Sequence, residues 1–140
     1  MVLPFFAMAF LIVDAAWGLF VKASLQHAVQ EGVRYAVTGQ VSGSLGQVAS
    51  IKAVVTAQAM GLLSGSQSGT LSVHFLDPVS LTDLGTKPGA NQGGNLVEVD
   101  ISGYQFAPLA PLLRSGAAIP MNVSAADRIE GSPGGVAPPL

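Results

Sequence analysis

The chain has 140 residues, no cysteine and a formal net charge of −2, and only 10 % of it is Asp, Glu, Lys or Arg, against about 25 % in an ordinary globular domain. Hydrophobic residues make up 49 % of it and the mean hydropathy is +0.52. This balance excludes a charged disordered tail, a disulfide framework and a thiolate metal site, and six singly scattered Lys and Arg leave no basic footprint for nucleic acid. The length fits one folded domain.

Residues 1–21 hold eighteen apolar residues, the exceptions being Pro4, Asp14 and Gly18, and five of the nine aromatic residues. As a helix, twenty residues rise about 30 Å, enough to cross a bilayer core. A secretory signal would want a basic n-region and a small-residue cleavage site. Nothing basic precedes Val2, and Asp14 interrupts the stretch before Ala15-Ala16, so the segment reads as an uncleaved membrane helix, with a cleaved signal as the rival. The helical pattern continues through 22–38. There Leu25, Val29, Val33 and Ala36-Val37 recur at helical spacing, and Gln26, His27, Gln30, Glu31 and Arg34 fill the other side. Glu31 and Arg34, three apart, can pair on the surface, and Gly39 suits a helix stop. The spacing thus predicts one long helix over 2–38, about 55 Å long, half in lipid and half against a soluble domain.

After the flexible GQVSGSLG of 39–46, Ser44 with Gln47 suits a capping box. Val48, Ile51, Val55, Ala59 and Leu62 form the stripe of a second helix over about 45–63. Three alternating stretches follow. Leu71, Val73 and Phe75 share one face of 70–76, Val97, Val99 and Ile101 point inward in 96–104, and Ile119, Met121, Val123 and Ala125 share a face of 118–129. Alternation with one polar face predicts a small antiparallel sheet of about three strands packed on helix, so the fold class is α+β. The loop 77–95 is long, and the Gly- and Pro-rich tail 131–140 is predicted to be disordered. The chain divides into a membrane half at 1–21, a folded α+β part at 22–130 that includes the soluble half of the first helix, and the tail.

Leu3-Pro4 opens the apolar span, Asp14 lies inside it, and Leu25-Gln26-His27-Ala28-Val29-Gln30-Glu31-Gly32-Val33-Arg34-Tyr35-Ala36 follows. This order resembles the TadE-like family of pilin-like proteins, in which the span runs into an A-x-x-G-x-R-Y-A type of segment. Ala28, Glu31, Gly32, Arg34, Tyr35 and Ala36 carry the likeness, which covers about 1–39. A weaker one lies in Tyr104, Pro108, Pro111 and the closing Arg128-Ile129-Glu130. The resemblance implies a pilin-like fold and a minor pilin or pseudopilin of the tight-adherence (Flp) type IV pilus system. Such a protein is held in the bacterial inner membrane by a single pass with its domain periplasmic. Its expected partners are other pilin-like subunits and inner-membrane assembly proteins, with no enzyme activity, small-molecule substrate or cofactor. Family members usually carry a basic leader, a Gly cleavage site and a Glu-Phe pair just before the Leu-x-x-Pro region. Here Met1-Val2-Leu3-Pro4 begins the chain, so in-frame codons upstream are expected to encode them.

An intramembrane carboxylate costs about 2.5–3.5 kcal/mol and usually faces a partner or cavity. On a helical wheel Ala7, Leu11, Asp14, Gly18 and Lys22 share one side, while Phe6, Phe10, Val13, Trp17 and Phe20 share another. The Asp14 and Gly18 side is expected to pack against another pilin helix or an assembly protein, the alternative being a protonated Asp14 in an ordinary anchor. Gly32, in mid-helix, costs about 1 kcal/mol relative to Ala and marks close approach of a second element. Arg34 and Tyr35 are placed either on the sheet or a neighbouring subunit, or as a solvated Arg beside a half-buried Tyr.

Other chemistry finds little support. His74, Glu98 and Asp100 share the outer face of the predicted sheet, which reads as a solvated face rather than a metal site. His27 reads the same way. Asp77 and Asp83 lack EF-hand spacing. Asn122-Val123-Ser124 lies within a predicted strand, and no glycine-rich loop or nucleophile elbow is present. A catalytic, cofactor or metal site is therefore not expected. Besides the structural subunit, two alternatives stand: a secreted or membrane-tethered binding module with a cleaved first segment, and a small membrane-bound hydrolase for which no constellation is offered. Only Asp14 and Lys22 are charged in the first thirty residues, and twelve charges over the remaining 110 are still sparse. That scarcity predicts a surface lying against other subunits.

Overall fold

The computed structural model describes residues 2–65, 67–108, 118–132 and 135–140. Helix α1 runs Val2–Val37 without interruption. Pro4 sits in its first turn, where a missing N–H breaks no intrahelical bond. Its end comes at Gly39, with φ +63° and its N–H donating to the Ala36 carbonyl at 3.0 Å. Two other groups also close this end: the Gln47 side-chain amide donates to Ala36 O at 3.1 Å, and the Glu130 N–H donates to Val37 O at 3.2 Å. Carbonyls that a helix end leaves without partners are thus taken up by distant parts of the chain.

Helix α2 spans Gln47–Gln58, shorter than the expected 45–63. Met60 and Gly61 take positive φ, which breaks the helix, while Leu62 and Leu63 still pack on the core from the following turn. The expected capping box is absent: Gly46 is the N-cap and no side chain caps it. The Gln47 N–H instead donates to the Pro139 carbonyl at 2.7 Å. Its side chain turns inward, fully buried, where Oε1 accepts from Asn91 Nδ2 at 2.6 Å.

Strands β1 (Thr70–Leu76), β2 (Leu96–Phe106) and β3 (Ile119–Arg128) form an antiparallel meander in the order β1-β2-β3. Val97, Val99 and Ile101 are fully buried, as their alternation requires. The register then shifts between Ile101 and Tyr104, where Gly103 takes φ +70° and its N–H finds Asn122 Oδ1 at 2.8 Å. The extra residue of this bulge returns Tyr104 and Phe106 to the inner face, so β2 continues past the expected end at 104. On β3, Val123 is buried and Met121 and Ala125 are half-buried, while Ile119 is 51 % exposed at the strand's start. α1 packs on α2, β2 and β3, and α2 touches β1. The core lies between these helices and the sheet's inner face.

The tail departs from expectation. Asn91 Nδ2 donates to the Pro138 carbonyl at 2.7 Å, and Leu140 is half-buried against the core. Residues 138–140 therefore lie on the start of α2 and are not a loose extension. Proline removes a donor but leaves an acceptor, and it is the carbonyls of Pro138 and Pro139 that are used.

Candidate functional site

α1 divides by its surroundings. From Val21 onward it carries a continuous buried stripe: Val21, Leu25, Ala28, Val29, Gly32, Val33 and Ala36. Before that, apolar side chains face outward, with Phe5 at 70 %, Ile12 at 62 % and Leu19 at 70 % exposed. The helix is long and apolar enough to cross a membrane, and only 11 % of its most apolar window is buried. A core helix of equal hydropathy would be covered by its own chain.

The expected site residues fall in two places. Asp14 is 5 % exposed and already engaged within the chain. Gly18 lies against the sheet: a Cβ there would meet Phe106 Cζ at 3.4 Å and Met121 Cε at 3.8 Å. At the level of Gly18, then, the side expected to meet another subunit meets the chain's own β2 and β3. The helix is approached closely, but an alanine would still fit. Leu11, Asp14, Ala15, Gly18, Leu19 and Lys22 form one wall of a groove of about 500 Å³, and Phe106, Pro108, Ile119 and Met121 form the other. The weaker likeness at Pro108 thus maps to this groove, whereas Pro111 lies outside the described residues.

Gly32 faces α2. A Cβ on it would land on Val55 Cγ2, with Ile51 Cγ2 at 3.7 Å. One turn on, Tyr35 is half-buried against the core and Arg34 is exposed. Arg34 lines a groove of about 670 Å³ between α1 and β3, opposite Asp127 and Glu130. Gln26 crosses the same groove to donate to the Ser124 carbonyl at 3.0 Å, tying α1 to β3. Among the described residues the ion pairs involve His74, not Glu31 with Arg34.

The outer sheet face brings His74 between two carboxylates: Nδ1 is 2.7 Å from Asp83 Oδ2 and Nε2 is 3.6 Å from Asp100 Oδ1. Glu98 is the register partner of His74 across β1 and β2. Asp83 was not legible as a partner, because the loop that delivers it folds back through an isolated bridge with Leu76. Among the described residues no three His, Asp or Glu side chains could hold a metal ion.

The loop is organised by its two carboxylates. Asp77 Oδ1 accepts the Val79 and Ser80 N–H groups at 2.9 and 2.8 Å, and Asp83 Oδ1 accepts the Gly85 N–H at 2.8 Å. These N–H donors, joined at Asp83 by His74, hold both carboxyls below the usual value of 3.8. A depressed folded-state pKa means that this stabilisation is complete above 3.8 and is lost as pH falls through the lower folded values. Carboxyl ¹³C titrations should accordingly show midpoints below 3.8 for both residues, and Asp77→Asn should loosen the 77–80 turn at neutral pH. Midpoints at the ordinary value would show that the N–H donors do not engage.

Residues 1–34 match the family model described as TadE-like protein. No curated protein and no solved structure matches the chain.

Proposed function

We propose that this chain is a structural, non-enzymatic subunit of a tight-adherence (Flp-type) type IV pilus assembly, anchored in the bacterial inner membrane by the first half of α1 with its α+β domain on the periplasmic side. The observation that carries the reading is where the exposed apolar residues of α1 lie. The family match covers 1–34, and within it the apolar residues up to Phe20 are those that the chain's own fold leaves exposed. A pilin-like subunit needs this arrangement: one half of the helix locked to its domain, the other free for lipid and for neighbouring helices.

The surface offered to neighbours is the aromatic side. Phe6, Phe10, Val13, Trp17 and Phe20 recur at steps of four and three, the spacing of a helix–helix seam, and all are at least 36 % exposed. Trp17 and Phe20 stack with ring centroids 5.4 Å apart. The small side at Gly18, met by Phe106 of β2 and Met121 of β3, is left to position the domain on its anchor. Replacing Phe6 and Phe10 together by Ala keeps the span apolar. It should leave the protein in the membrane fraction while reducing its co-purification with pilin-like subunits and inner-membrane assembly proteins of the same bacterium. Undiminished co-purification, or normal piliation after deletion of the gene, would remove this reading. A mature protein starting near Trp17 would instead support a secreted binding module.

A further inference from the structure

The apolar part of α1 overlaps the stretch along which the sheet meets it. The apolar run continues to Val21 and is followed by Lys22, and within it Trp17, Leu19 and Phe20 are exposed. Over residues 11–22, then, the same stretch of α1 is both apolar enough for lipid and walled on one side by Phe106, Pro108, Ile119 and Met121. Among the described residues that wall carries no charged side chain, and Ile119 on it is 51 % exposed.

We propose that this end of the sheet is itself a lipid-contacting surface, with the wall of Phe106, Pro108, Ile119 and Met121 lying among phospholipid acyl chains beside α1, in the leaflet next to the folded domain. The occupant of the groove is acyl chain because the opposite wall, Leu11, Ala15 and Leu19, belongs to the span that must be in hydrocarbon. Lys22 at its upper rim is placed to meet the headgroup phosphates. The inference rests on the membrane-spanning reading of α1.

The full chain has one tryptophan, Trp17, so two indole positions separate the two ideas. The native protein and a Trp17→Phe, Ile119→Trp variant are reconstituted in phosphatidylglycerol and phosphatidylethanolamine vesicles, with and without bromine on the acyl chains. Aqueous iodide serves as the opposing quencher, and Met121→Trp replaces Ile119→Trp should that variant not fold. The proposal expects the introduced indole to lose emission to brominated lipid as strongly as Trp17 does and to be shielded from iodide. Quenching of Trp17 by bromine with an introduced indole open to iodide would overturn the proposal and leave the span standing. A Trp17 untouched by brominated lipid would overturn both.

Discussion

A chain that begins at Gly39 will show no cooperative thermal transition, although it keeps α2, the whole sheet and the tail. Among the described residues, six of the eighteen buried hydrophobic ones belong to α1: Val21, Leu25, Ala28, Val29, Val33 and Ala36. Burying a Val or Leu side chain contributes about 1.5–3 kcal/mol, so the four larger ones together supply about 6–12 kcal/mol. A domain of this size has a net stability of about 5–15 kcal/mol in all. The deletion also leaves the Gln47 amide and the Glu130 N–H without the α1 carbonyls they bond, each a cost of about 1–3 kcal/mol where buried. A chain beginning at Asp14 keeps every one of those residues and should melt cooperatively in detergent. Comparing the two by near-UV circular dichroism and calorimetry separates loss of core from loss of anchor. A sharp transition from the Gly39 chain would show that the sheet and α2 are self-sufficient.

Elements with a local signature were legible and contacts made at long range were not. The period of Leu25, Val29 and Val33 placed the buried stripe of α1, and the alternation of Val97, Val99 and Ile101 placed the inner face of β2. Gly39 ended α1 for a reason visible in one residue, its freedom at φ +63°. The bulge at Gly103 broke the alternation that would have marked Tyr104 and Phe106 as buried, although a glycine inside a strand pattern is the signal for one. The spacing of Ser44 and Gln47 points to a local cap, yet the partners of Gln47 are Ala36 and Asn91, the second 44 residues away. No periodicity encodes such a pairing. In the tail, composition registers weak burial but not the acceptors that Pro138 and Pro139 carry.

The candidate site shows the same division. Apolarity alone marked the candidate span, but which side of it stays exposed depends on where β2 and β3 land, and that is a tertiary fact. Gly18 is met by Phe106 and Met121, and Phe6, Phe10, Val13, Trp17 and Phe20 are left exposed. The sparse charge of the soluble part acquires a partial physical cause too: the wall at Phe106 and Ile119 needs no charge if it meets lipid. The outer sheet face, by contrast, carries Glu98, Asp100 and His74.

Gly32→Ala will destabilise the protein even though alanine is the better helix former. In an isolated helix the change would gain about 1 kcal/mol. Here the new methyl would occupy the position of Val55 Cγ2, with Ile51 close behind and the glycine itself buried. Overpacking of a filled core costs about 1–3 kcal/mol. Relief would require α2 to move off α1, and α2 is held there by the Gln47 bond to Ala36. The expected result is a net loss of up to about 2 kcal/mol in urea unfolding, the clash partly offset by propensity. Val55→Ala alone opens a cavity and is also destabilising. The two changes together should be less harmful than their sum, because the methyl added on α1 fills part of the volume removed from α2. A coupling energy of about 0.5–3 kcal/mol in the double-mutant cycle would locate the cost in this contact. Additive losses would place it in the backbone of α1 instead, and the close approach of the two helices would then not be the reason a glycine stands at 32.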